Sequence, residues 1–178
     1  MLGAFGLSAG DAAADDDGII VRDDFSSKSE SLKIWNRKGG TIDEAGKKAV
    51  LWVATLKEPL PQDQAFRVSI DVTIDEEGED VSNNARTGFL IGEYACTVSS
   101  HLTPFIGRGG KKIEGLEYGV PFELAAEYTP GDDVATIVSF VNGKKIGSRT
   151  FIKPDAKLDF LLYPYCKCSF RNFKVVKK

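Results

Sequence analysis

Two segments each carry a pair of carboxylates four residues apart. Asp71 and Asp75 fall in FRVSIDVTID, and Glu123 and Glu127 in FELAAEY. Cleaving a glycosidic bond by acid/base chemistry takes two carboxyl groups, about 5 Å apart for retention and wider for inversion. Four residues along a strand span about 13 Å, too far within either pair. A pair drawn from neighbouring strands comes within range. If the chain is an enzyme, Asp71, Glu123 and Glu127 are the acid/base candidates. The bland reading of the same residues is the solvated face of a sandwich.

A second chemistry is binding without turnover, for which an aromatic platform with a few oriented polar groups is the usual arrangement. Trp35, Tyr163 and Tyr165 supply aromatic surface, and Arg67, Asp71 and Glu123 supply polar groups. The proline between Tyr163 and Tyr165 interrupts a strand there. Trp52, in VLWVA, belongs to a core. A third is calcium binding. The stretch DEEGEDVSNN concentrates hard oxygen ligands, and Asp75, Glu77 and Asp80 would be the ligands. It lacks the spacing of an EF-hand loop, so no cofactor is expected, with Ca²⁺ as the one exception kept open. Nucleophilic catalysis has little support. His101 is the single histidine, and Ser99-Ser100 before it sit in no nucleophile elbow.

The three cysteines are Cys96, Cys166 and Cys168. An odd count prevents full internal pairing. Three reduced thiols acting as small hydrophobes is one reading. One disulfide, with Cys96 reaching Cys166 or Cys168, plus a free thiol is the other.

The elements that must position these residues are strands. In 66–75 apolar Phe66, Val68, Ile70, Val72 and Ile74 alternate with Arg67, Ser69, Asp71, Thr73 and Asp75, the period of two of a half-buried strand. Phe122–Tyr128 alternates likewise. After the turn TPGDD comes Val134–Val141, apolar at most positions on both faces, as expected of a central strand covered on both sides. Asn142-Gly143 then predicts a type I′ hairpin, because both residues tolerate positive φ. Lys144–Ile152 is the return strand. Ahead of these, Ile19–Arg22, Ile34–Arg37, Thr41–Asp43, Lys48–Thr55, Arg86–Ile91, Tyr94–Ser99 and His101–Ile106 read as strands. Gly39-Gly40 and Glu44–Lys47 read as turns, and Ser26–Lys33 as a helical turn or loop. In the last segment Cys166, Cys168 and Phe170 share one phase and Phe173 and Val175 the other. That slip predicts a β-bulge at Arg171-Asn172. About a dozen short strands without a long amphipathic helix predict an all-β, two-sheet antiparallel sandwich.

The 178 residues fit one domain, 19–178, after a leader or export-signal remnant at 1–18. A net charge of −3 argues against a nucleic-acid footprint, which needs a basic face. No apolar run approaches the roughly 20 residues of a membrane span.

Several of these stretches resemble the concanavalin A-like lectin/glucanase (laminin-G-like) jelly rolls. Asp23-Asp24-Phe25, followed by Trp35 and Gly39-Gly40-Thr41, is similar to that superfamily's opening pattern. TIVSFVNGKKIG is similar to its late hairpin, and Phe170-Arg171-Asn172-Phe173-Lys174-Val175 to its closing strand, with Arg171 where an acidic residue is common. The E-x-D-x-x-E strand of the family-16 glucanases is missing. The resemblance implies a jelly roll that is secreted, periplasmic or at a cell surface and recognises carbohydrate or an extracellular protein. Its alternatives are a glycan-active hydrolase and a structural subunit of an extracellular assembly, possible through self-assembly.

Overall fold

A computed structural model of the chain describes residues 18–76, 86–106, 114–153, 157–164 and 166–178. In chain order the elements are β1 (Ile19–Asp23), α1 (Lys28–Ile34), β2 (Trp35–Asp43), β3 (Lys48–Leu56), β4 (Phe66–Ile74), β5 (Arg86–Ile91), β6 (Tyr94–Ser99), β7 (Pro104–Ile106), β8 (Phe122–Pro130), β9 (Val134–Val141), β10 (Lys144–Ile152), β11 (Phe160–Pro164) and β12 (Cys168–Lys177). All strand pairs are antiparallel. They follow the path β10-β9-β8-β4-β12-β3-β11-β5-β6-β7, with β1 added to β12 and β2 to β3.

This sheet folds back on itself, so that β6 packs against β8 and β10 approaches β7. Two layers result, an all-β sandwich in which β12 pairs with both β4 and β3. The alternation along β4 explains the core: Phe66, Val68, Ile70, Val72 and Ile74 are all fully buried. They face Phe89, Ile91, Phe160, Leu162 and Val98 of the other layer within one cluster.

The opening Asp-Asp-Phe…Trp pattern has a physical explanation. Asp23 is buried and accepts three hydrogen bonds: from Phe25 N at 2.8 Å, Ser31 Oγ at 3.0 Å and Trp35 Nε1 at 2.8 Å. Burial pushes its carboxyl above the ordinary value, and the three donors oppose that shift. Ser27 caps α1 by accepting from Glu30 N. Trp35 then packs on Phe25, Phe160 and Phe173.

The hairpin at Asn142-Gly143 forms with φ of 48° and 74°, and the bulge forms at Arg171-Asn172, with Asn172 at φ 51° and the register slipping between Arg171 and Lys174. Two other expectations are corrected. Gly39-Gly40 is no turn but lies inside β2, at a bulge opposite Leu51, where a Cβ on Gly40 would sit 2.2 Å from the Leu51 carbonyl oxygen. Val134–Val141 is covered on one face only. Val134 is 47% exposed and Thr136, Val138 and Phe140 are half-buried, because among the described residues no further layer covers the outer side of β9.

Candidate functional site

The outer face of the β12-β4-β8-β9 layer gathers the charged residues. Antiparallel register sets Arg67 opposite Glu127, Ser69 opposite Ala125, and Asp71 opposite Glu123. Direct cross-strand partners have Cβ atoms about 5 Å apart, so carboxylates that are distant within each strand become neighbours between strands. Arg67 bridges both glutamates, with Nη2 to Glu123 Oε1 at 2.8 Å and Nη1 to Glu127 Oε1 at 3.2 Å. Its guanidinium lies 5.1 Å from the centre of the Phe140 ring, within cation–π range. Phe140 stands opposite Ala125 on β8, and the small Ala125 and Ser69 are buried beneath the cluster. Asn172 donates Nδ2–H to Asp71 Oδ2 at 2.7 Å, and Lys178 donates to Glu127 Oε2 at 2.5 Å. The bulge at Arg171-Asn172 is what puts the asparagine on this face.

The electrostatics follow from these contacts. The Lys178 hydrogen bond, with a smaller contribution from Arg67, holds the Glu127 carboxyl below its ordinary value. A general acid working near neutral pH needs the opposite shift. Glu127 is thus a fixed hydrogen-bond acceptor in the cluster, where side-chain exposures are 26% for Arg67, 35% for Glu123 and 22% for Glu127. The Asn142 side chain accepts from Glu123 N, and Asn142 N donates to Glu123 O, both at 2.9 Å, so the hairpin tip braces the β8 end of the cluster.

Four sequence candidates thus come together: Arg67, Asp71, Glu123 and Glu127. Trp35 does not join them, and its expected role in ligand binding is corrected. It is 1% exposed, its indole N–H is taken by Asp23, and its ring is core. Tyr163 is half-buried on β11, opposite Gly88, in the other layer. Tyr165, Glu77 and Asp80 lie outside the described residues. Asp75 is exposed and Glu76 pairs with Lys167. Among the described residues no three His, Cys, Asp or Glu side chains gather around a common point for a metal ion. Ser99 Oγ accepts the backbone N–H groups of His101 and Thr103, which makes it a turn brace.

Phe140, Asn172 and Lys178 were not foreseen as site residues. Phe140 is in phase with Thr136 and Val138 along β9, a signal masked by the apolar character of the whole run. Asn172 is implied by the bulge once β12 is placed beside β4.

Neither a family model nor the sequence of a curated protein matches the chain. Solved structures do. The endo-1,3-beta-glucanase from Streptomyces sioyaensis superposes with a TM-score of 0.63 at 12% identity, over 92% of this chain and 98% of that one. The exoplasmic/lumenal domain of VIP36, in its Ca²⁺-bound form, gives 0.60 at 7% identity, over 88% of each chain. A sialidase gives 0.62 at 16% identity over 89% of this chain, which spans only 18% of the sialidase. The fold is the concanavalin A-like jelly roll. A glucanase and a lumenal domain on this one jelly roll leave function to be argued from the site.

Proposed function

We propose that this jelly roll is a non-catalytic recognition module for carbohydrate, with Arg67, Asp71, Glu123 and Asn172 beside Phe140 as the binding surface. One observation carries the reading: the cross-strand register gathers carboxylates around a guanidinium that lies over one partly exposed aromatic ring, with an amide bonded to the Asp71 carboxylate on the far side. Sugar hydroxyls come in adjacent pairs, and planar bidentate side chains match them while an aromatic ring takes the apolar C–H surface. The groups are already held by one another, so binding orders little that is not ordered already. The Emp46p carbohydrate recognition domain superposes on the chain at TM-score 0.52 and 15% identity, which agrees with this reading. With it go a secreted, periplasmic or cell-surface location and a single sandwich over 19–178.

The test is a glycan array with the purified protein, with calcium and with a chelator, alongside Arg67→Ala, Asp71→Asn and Tyr163→Ala. The proposal expects a defined sugar class to bind, with at least about tenfold loss in the first two variants, since each removes a charged hydrogen-bonding partner. It expects little change in Tyr163→Ala. Loss only in Tyr163→Ala would move the site to the β11 layer, and loss in the chelator would make calcium part of it.

A hydrolase is the second reading, because Asp71 and Glu123 are direct cross-strand neighbours. Release of reducing ends from a β-1,3-glucan, abolished by Glu123→Gln, would replace the recognition reading.

A further inference from the structure

We propose that Cys166 and Cys168 form a thiol–disulfide exchange site for low-mass disulfides, with Cys166 as the attacking thiol and Cys168 as the resolving one. All three cysteines are free, and they differ in access: Cys96 and Cys168 are buried, whereas Cys166 is half-buried at the bend that leads into β12. Two residues apart on a fully extended strand, Cα atoms lie about 6.6 Å from each other. That is close to the upper limit of roughly 6.8 Å for a disulfide. Residues two apart in a chain cannot lie much farther from each other than that, and the chain bends at Cys166-Lys167 just before β12, so the Cα separation falls within the range a disulfide spans.

The bend is anchored on both sides of its central residue. Asp75 N donates to Lys167 O at 2.9 Å, and the Lys167 ammonium pairs with Glu76. Cys168 is fixed from behind by Thr87, whose Oγ1 lies 2.9 Å from its sulfur.

The two thiols divide the chemistry between them. The hydrogen bond from Cys168 holds the Cys166 thiol below its ordinary value, against burial and the charge of Asp75. The same hydrogen bond and burial push Cys168 upward. Negative charge therefore settles on the more accessible sulfur, where a nucleophile is needed. Cys96 is an internal control. It is buried on β6 with its sulfur directed at Ala125 O at 3.7 Å, and burial pushes its thiol up to about 12.

In the exchange the Cys166 thiolate attacks one sulfur of RSSR, forming Cys166–S–S–R and expelling RS⁻. Cys168 then loses its proton and attacks the Cys166 sulfur, expelling the second RS⁻. The two protein thiols give up two electrons and two protons, and RSSR becomes two RSH. Because Cys168 is the buried thiol of higher pKa, the second step is the slower one.

The experiment is a time course of the folded full-length chain in excess oxidised glutathione, quenched with acid and read by intact mass and peptide mapping. The expected result is one transient glutathione adduct at Cys166. It gives way to a species lighter by two hydrogens with Cys166 linked to Cys168, and Cys96 stays unmodified. In Cys168→Ser the adduct on Cys166 persists at least about tenfold longer, and in Cys166→Ser adduct formation slows at least about tenfold. A wild-type adduct that persists without ring closure overturns the proposal. So does adduct formation that is as fast at Cys96 as at Cys166. Both readings come from the wild-type chain alone.

Discussion

Replacing Arg67 by Met removes the charge at the centre of the outer-face cluster and keeps the side-chain stem that packs there. Two ion pairs are lost. Both are partly exposed, with Glu123 at 35% and Glu127 at 22%, so solvent screening limits each to about 0.5 kcal/mol. The guanidinium contact with Phe140 adds about 0.5–1 kcal/mol. Glu127 keeps Lys178, which offsets part of its loss. The expected destabilisation is thus about 1.5 kcal/mol, read as a lower urea midpoint with an unchanged m-value and followed by tryptophan emission. Adding 1 M salt should shrink the difference, because only the ion-pair part is screened. Carbohydrate retention should fall at least about tenfold in the same variant, since the lost group is a charged hydrogen-bond donor. A variant as stable as wild type that also keeps full binding would show that the cluster is neither the brace nor the binding surface described above.

Three further outcomes follow from named contacts. Asp23→Asn keeps Oδ1 for Phe25 N and Ser31 Oγ but turns an amide toward the Trp35 indole N–H, so stability should fall by about 1–3 kcal/mol in thermal unfolding; an unchanged Tm would mean that the indole bond contributes nothing. Gly40→Ala adds a Cβ against the Leu51 carbonyl at φ +80°, and should destabilise by at least about 2 kcal/mol in urea unfolding, whereas Gly119→Ala, at φ +74° with open space around it, should lose no more than the roughly 1–2 kcal/mol of the backbone term alone. The Glu127 carboxyl is held below its ordinary value of 4.5, so its contribution is present above that value and is lost as pH falls through the lowered one; the stability gap between wild type and Glu127→Gln should therefore narrow as the pH falls below 4.5 in equilibrium unfolding, and a gap that widens on acidification would reverse the assigned sign.

What the chain discloses before folding is local chemistry, and the cluster shows where local chemistry stops. Asn142-Gly143 and the phase slip at Arg171-Asn172 are written into a few adjacent residues, and both form as the residues require. Alternation also assigns Arg67 and Asp71 to one face of β4, and Glu123 and Glu127 to one face of β8. Which carboxylate meets which cation is a matter of register between strands far apart in sequence, and no residue states it alone. The bulge is the link between the two levels, since it is local in origin yet decides that Asn172 reaches Asp71.

Trp35 failed as a ligand candidate for the opposite reason. An aromatic residue at a strand start reads the same whether it is a platform or a core side chain, and the deciding partner is a carboxylate twelve residues earlier. Asp23 is itself an unusual core residue, tolerated because three donors converge on it. Phe140 was hidden by company: a run apolar on both faces suggests cover on both sides, but β9 lies one strand from the sheet edge and its outer face has none among the described residues. An exposed apolar phase on a strand next to an edge is thus a signal of a surface to be used, once the position of the strand in the sheet is known. The same reasoning separates the cysteines. Spacing alone makes Cys166 and Cys168 equivalent, and only the bend before β12, with Thr87 behind one sulfur and solvent near the other, makes them unequal.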